Sequence, residues 1–312
     1  MNKQAPRAKM RVLFMGTPYF ARLVLDQILN DVRFEVVGLF AQPDKPFGRT
    51  KELKCPQTKE LLLQRGLTIP IFQPESLDTQ SIANIQTLAP DVIVVVAYGK
   101  ILPPQILSLA LCLNLHASIL PKYRGASPIH EMIINHEELY GVSVMAMQEG
   151  LDSGDILGVG ALERVDSMDM EALIVLLAQL GGDLLLEVLI RQEHIEPLKQ
   201  IHADASYCKK IQKTDGVVHF INAKNIYLKS LAYSLWPHIF LASGLKLFGV
   251  EIVALSGTYQ EGEILAIEGS AVVVGCERGA LKIASLQAPS KQKIDARTYL
   301  LGQRLKIGDI LS

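Results

Sequence analysis

Residues 91–97 read DVIVVVA, the longest continuous apolar run with strand character in the chain. A strand with no polar face belongs inside a parallel sheet that helices cover on both sides. Working toward the N-terminus, TIPIF (68–72) lies between helical stretches near 56–65 and 78–88, and FEVVGLF (34–40) and RVLFM (11–15) read as further buried strands. Gly16-Thr17-Pro18 and a helix-period stretch to about Asn30 separate those last two, which gives a β-α-β opening. Toward the C-terminus come a short helix near 103–109, LCLNLH (111–116), a helix from about Pro128 and the strand YGVSVMAM (140–147). Strands alternating with helices predict an α/β fold with a doubly wound, mainly parallel sheet.

A long amphipathic helix, MDMEALIVLLAQLGGDLLLEVLIRQ (168–192), interrupted at Gly181-Gly182, is expected to close this region. The stretch 194–216 mixes Pro, Lys and Asp with little periodicity and reads as a linker. After a helical stretch near 223–236, LKLFGVEIVAL, GEILAIE, AVVVGC and GALKIASL are closely spaced β-runs that predict a small C-terminal β-barrel. The expected division is 1–195, a linker at 196–213, and 214–312.

The composition agrees with two folded units. The chain has 312 residues, a formal charge of -1 and 49% hydrophobic side chains, which excludes dominant disorder. Residues 1–195 carry 17 basic and 22 acidic side chains, and residues 196–312 carry 14 and 10, so the C-terminal part is mildly basic. Cys55, Cys112, Cys208 and Cys276 lie far apart, without a C-x-x-C pair or zinc-finger spacing, and read as reduced thiols with no metal site. RVLFMG is too short an apolar run for a signal peptide, and no uninterrupted apolar stretch reaches bilayer length. A cytoplasmic chain without a membrane segment is expected, and a monomer.

The chemistry concentrates in LCLNLH. Side chains alternate along a strand, so Cys112, Asn114 and His116 share one face, where an interior parallel strand should be apolar. Polar groups at its C-terminal end are misplaced as core and well placed as a site, because ligands of open α/β sheets bind beyond the carboxyl ends of the strands. Gly16-Thr17 and Tyr98-Gly99 reach the same rim. The loop HASILPKYRGASPI (116–129) follows, with Pro121 and Pro128 fixing φ and Gly125 permitting a bend. In EGLDSGDIL (149–157), Asp155 reads as a turn former, whereas Asp152 is suited to orient His116 through a carboxylate–imidazole pair. AQPDKPFGRTKELKCP (41–56) is long for a β-α connection and carries Lys45, Arg49, Lys51 and Lys54, diluted by Asp44 and Glu52.

FMGTPYFA (14–21), QPDKPFGRTKELKCPQTK (42–59), VVAYGKILP (95–103), NLHASILPKYRGASPI (114–129) and GLDSGDIL (150–157) together resemble the methionyl-tRNA formyltransferase family. The resemblance covers most of the chain. Several formyltransferases that use 10-formyltetrahydrofolate share NxHxSxLP with GxDxGD downstream; the QPDKPxGRxK insertion, the basic linker and the C-terminal barrel narrow it to the tRNA enzymes. It implies a Rossmann-like catalytic domain with an OB-like barrel, the folate as co-substrate, initiator methionyl-tRNA as acceptor, and no metal.

By that resemblance Asn114 would donate to the oxyanion of a tetrahedral intermediate, and His116, paired with Asp152, would move the amine proton toward the folate. Ser118, Ile119, Leu120 and Pro121 match the folate-contacting segment, and backbone around Tyr98 would hold the pterin. Arg49, with Lys45 and Lys51, matches the inserted loop that meets the tRNA, and Lys209, Lys210 and Lys213 would line a basic channel. Two departures stand out: LWPHIF (235–240) carries His238 where the family usually has Gly, which implies altered barrel packing, and SIL replaces the commoner SLL. A sugar or glycinamide ribonucleotide formyltransferase is the alternative enzyme class; against the latter, Pro18 removes an N–H that a phosphate loop after the first strand would need, whereas the catalytic motif does not separate the former and the Arg49 loop is the discriminating feature. A non-catalytic RNA- or folate-binding protein is the third.

Overall fold

A computed structural model describes residues 9–47 and 52–312. They form two compact units. The first comprises the described residues up to Pro128, Leu139–Glu163 and Ile174–Lys209; the second comprises Ile129–Glu138, Arg164–Leu173 and Lys210–Ser312.

The first unit is built on a seven-stranded sheet. Its order is Ile156–Glu163, Leu139–Ala146, Leu111–His116, Val92–Val96, Met10–Gly16, Phe34–Phe40 and Ile71–Phe72. Pairing is parallel from Leu111–His116 through to Ile71–Phe72, and antiparallel for the two strands at the other edge. The expected mainly parallel, doubly wound sheet is present. Chain order reverses between Met10–Gly16 and Val92–Val96, the switch point at which such sheets open a crevice.

Val92–Val96 is fully buried along its length, as its unbroken apolar sequence requires. Leu13, Met15, Ile93, Val95, Tyr98 and Cys112 share one buried cluster on one face. The opposite face is covered by the helix Met170–Arg191, which runs without a break through Gly181 and Gly182. The glycines are therefore contact points rather than the expected interruption. A Cβ on Gly181 would lie 2.9 Å from the Leu115 side chain, and Gln27 Nε2 donates to Ala178 O at 3.0 Å beside Gly182. By length and composition this helix is long and apolar enough to cross a membrane, yet here Leu177, Ala178, Leu185, Val188 and Leu189 are buried within the protein.

The strand Ile156–Glu163 has no counterpart in the sequence reading. Gly158 and Gly160 break its apolar alternation, and their missing side chains give room to Leu184 and Leu180 of the covering helix. The run TIPIF supplies only the two-residue strand Ile71–Phe72, and Phe72 stacks on Phe40 at 4.8 Å. Residues 198–208, read as linker, are fastened to the first unit. Leu198 and Ile156 exchange both main-chain hydrogen bonds at 2.9 Å, and Tyr207–Cys208 pairs with Arg124–Gly125.

The second unit carries a six-stranded antiparallel sheet, ordered Ile239–Phe240, Lys246–Ala254, Ala280–Gln287, Ala271–Gly275, Ile264–Glu268, with Ile294–Asp295 also on Ala280–Gln287. The helix Ala223–Ala232 begins at Asn222, whose side chain accepts from the Asn225 N–H at 3.1 Å. A last helix, Ala296–Gln303, was not evident in the sequence; Asp295 caps it by accepting from Thr298 N at 2.8 Å. His238 sits at φ +65°, a conformation glycine adopts freely, with its ring edge-on to Phe248 at 5.1 Å. Burial, with Lys246 and Lys293 nearby, holds its imidazole below the ordinary histidine range.

Candidate active site

Strand register sets the position of the polar residues. Met15, Val95, Asn114 and Met145 lie side by side across four strands. Asn114 is thus level with the last turns of Met10–Gly16 and Val92–Val96, at their carboxyl ends. Gln42 stitches this rim: its N–H donates to Thr17 Oγ1 at 3.2 Å and its Nε2 to Tyr98 O at 2.9 Å. The three strand ends expected to converge do so.

Cys112 belongs to the core below the site. Burial pushes its thiol up to about 12, so it is inert at neutral pH. Above it, Asn114 is 8% and His116 6% exposed. Buried polar groups need partners, and one carboxylate bonds Asn114 and lies beside His116. Asn114 Nδ2 donates to Asp152 Oδ1 at 3.1 Å, the Gly125 N–H donates to Asp152 Oδ2 at 2.8 Å, and His116 Nδ1 lies 3.6 Å from Asp152 Oδ2. His116 Nε2 is 2.9 Å from Tyr123 O. A carbonyl only accepts, so the ring donates through Nε2 to Tyr123 O, and a proton gained at Nδ1 would lie between the ring and the Asp152 carboxylate. An ionised carboxylate likewise only accepts, which fixes the Asn114 amide with Nδ2 toward Asp152 and leaves its second N–H for another acceptor.

The loop after His116 is held by its own side chains. Ser118 Oγ donates to Lys122 O at 2.6 Å, and Ser143 Oγ donates to Ser118 O at 2.8 Å while accepting from Leu120 N at 3.0 Å. Ser118 is fully buried, Leu120 packs with Met145 and Ile156, and Leu120-Pro121 is cis. Gly125, at φ +119°, comes so close to the 207–208 segment that an added Cβ would stand 2.3 Å from Cys208 O. Asp152 itself sits in the left-handed region at φ +47°, which Asp tolerates better than most residues.

Tyr98 follows its strand through a turn in which Ala97 and Gly99 have φ of +45° and +80°. Its hydroxyl is buried without a hydrogen-bond partner among the described residues, and burial pushes it up to about 12. At the end of Met10–Gly16 a cleft of about 290 Å³ opens, walled by Thr17, Pro18, Gln42, Lys45, Lys54 and Cys55. Lys45 is exposed on a short ribbon, Lys45–Phe47 against Glu52–Lys54. Arg49 and Lys51 lie outside the described residues. Lys209, Lys210 and Lys213 are exposed, the first in the first unit and the other two in the second. Among the described residues, no group of three or more His, Cys, Asp or Glu side chains is placed to hold a metal ion.

Residues 8–189 match the family model described as Formyl transferase, and residues 210–304 match Formyl transferase, C-terminal domain. The methionyl-tRNA formyltransferase of Helicobacter pylori is 54% identical over 303 residues, which is 97% of this chain and 100% of that protein. The chain belongs to the methionyl-tRNA formyltransferase family. Among solved structures, a methionyl-tRNA formyltransferase from Clostridium thermocellum matches with a TM-score of 0.55 at 15% identity, covering 78% of this chain and 93% of that one. An N-formyltransferase from Helicobacter canadensis, in complex with folinic acid and dTDP-3-aminofucose, matches at 0.64 and 15% identity over 91% and 100%. At those identities the likeness is one of fold, shared by formyltransferases of unlike acceptors.

For a formyltransferase, the sequence reading missed several residues that shape the site. Ser143 had a visible signal, a small hydroxyl residue in a strand otherwise of apolar residues and one tyrosine. Arg124 and Gln200 had none. Both are buried, at 2% and 7% exposure, and Gln200 comes from an aperiodic stretch.

Proposed function

We propose that this formyltransferase transfers a formyl group from 10-formyltetrahydrofolate to the α-amino group of methionine on initiator methionyl-tRNA, with Asn114, His116 and Asp152 as its catalytic residues. The observation that carries the residue assignment is the single Asp152 carboxylate shared by Asn114, His116 and the loop N–H of Gly125. The acceptor follows the H. pylori relative, which matches along its whole length.

The donor set at the rim, an amide, an imidazole and main-chain groups above an apolar core, suits an organic acyl donor. As the amine nitrogen bonds to the formyl carbon, the Asn114 N–H not held by Asp152 donates to the carbonyl oxygen that is becoming an oxyanion. His116 Nδ1 takes the proton lost by the amine, and Asp152 beside it stabilises the imidazolium. When the carbon–N10 bond breaks, His116 returns that proton to N10, directly or through water. Ser118 and Leu120 have buried side chains, so their folate contacts run through the main chain, with Ile119 and Pro121 beside them and the turn at Tyr98 holding the pterin. Lys45, Arg49 and Lys51 with Lys209, Lys210 and Lys213 bind tRNA phosphates. We place the division between catalytic and C-terminal domains near 196–213. The four cysteine thiols support a reducing cytoplasmic setting, in which the enzyme works as a monomer.

Formyl transfer by the purified protein, compared for methionyl initiator tRNA, free methionine and a nucleotide-linked amino sugar, tests the acceptor. Turnover with the charged tRNA alone is expected. Turnover with the sugar would reassign the acceptor.

A further inference from the structure

Asp152 must hold one position to serve three partners, yet its loop is short, flanked by glycine and in left-handed backbone. Gln200 reaches that loop from the 198–208 segment. Its Nε2 donates to Asp152 O at 3.0 Å and to Gly154 O at 2.7 Å, and its Oε1 accepts from Arg124 Nε at 3.0 Å and Nη2 at 2.6 Å. Carbonyls only accept and guanidinium only donates, so this orientation of the amide is the one that satisfies all four bonds. Arg124 is otherwise bonded to His202 Nδ1 at 3.2 Å and, at 3.5 Å, to the Tyr207 hydroxyl.

A buried guanidinium is ordinarily paired with a carboxylate. Glu in place of Gln200 would supply that pair, but it has no N–H for the two loop carbonyls. The amide is the group that accepts from Arg124 and donates twice to the loop. We propose that Gln200, braced by Arg124, is a positioning residue for catalysis, holding the 152–154 backbone so that the Asp152 carboxylate stays on Asn114 and His116. This rests on the catalytic roles proposed above for those three residues.

Gln200→Glu separates the two contacts, since it keeps a partner for Arg124 and removes both donors to the loop. Its kcat falls about 10- to 100-fold, the scale of a misplaced catalytic group. KM for both substrates stays near wild type, and the acid limb of the pH–kcat profile moves. Asp152→Asn is assayed in parallel. If Asp152→Asn loses activity while Gln200→Glu keeps wild-type kcat and pH profile, this inference is overturned and the proposed catalytic residues stand. If both keep wild-type activity, the catalytic assignment fails and this inference with it. Should Gln200→Glu not fold, Gln200→Met, which lacks the donors without adding charge, is measured instead; the same loss of kcat supports the inference and wild-type kcat overturns it.

Discussion

Asp152 divides its two oxygens among three partners, so a change there should separate chemistry from binding. His116→Ala is expected to lower kcat about 100- to 10,000-fold, the usual worth of a general base. Folate affinity, measured by fluorescence titration, should stay within a few-fold, because the role proposed for the imidazole is on the amine proton. Asn114→Ala is expected to cost about 100- to 1000-fold in kcat through loss of an oxyanion donor, with folate binding again retained. Ser143 supplies a contrast. Its hydroxyl ties Leu120 N to Ser118 O within the protein. Ser143→Ala should therefore lower stability by about 1–3 kcal/mol in denaturant unfolding, the cost of leaving buried groups unpaired, with a smaller effect on kcat than either catalytic change.

Packing of whole elements sets how well those residues are held. Gly181 lets the covering helix approach Leu115, between Asn114 and His116 on the strand Leu111–His116. Gly181→Leu should overpack that contact and cost about 1–3 kcal/mol by denaturant unfolding. In the second unit His130 packs against Tyr233, ring centroids 5.9 Å apart, and burial lowers its pKa to about 4 from an ordinary 6.5. The unfolded chain binds that proton first as pH falls, so stability is present above about 6.5 and is lost as pH drops toward 4. Between pH 7 and 5 this amounts to about 2 kcal/mol, and His130→Phe should remove that part of the pH dependence. The elements legible in the sequence were those whose pattern comes from burial alone: the apolar run at 91–97, and the polar break at Asn114 and His116 within LCLNLH. The strand Ile156–Glu163, and the continuity across Gly181-Gly182 of the helix expected at 168–192, were hidden because glycines chosen for close approach look like breakers. Gln200 and Arg124 were hidden for a different reason. Their partners are main-chain and side-chain groups far away in sequence, which leave no local pattern.

At the scale of the molecule, the chain matches both formyltransferase domain models, and its C-terminal part carries the basic surplus. Binding of initiator methionyl-tRNA should weaken steeply with salt, and each Lys→Ala change at Lys209, Lys210 or Lys213 that removes a phosphate contact should lower the slope of log Kd against log salt by about one. A slope unchanged in the triple variant would remove those lysines from the interface. In the proposed reaction Asp152 organises Asn114 and His116 for transfer to the charged tRNA. Single-turnover formylation of methionyl initiator tRNA by wild type and Asp152→Asn, with folate and tRNA affinities measured on the same proteins, tests it most directly. The expected result is a loss of transfer rate on the order of 100-fold or more with both affinities retained. Wild-type transfer by Asp152→Asn would contradict it.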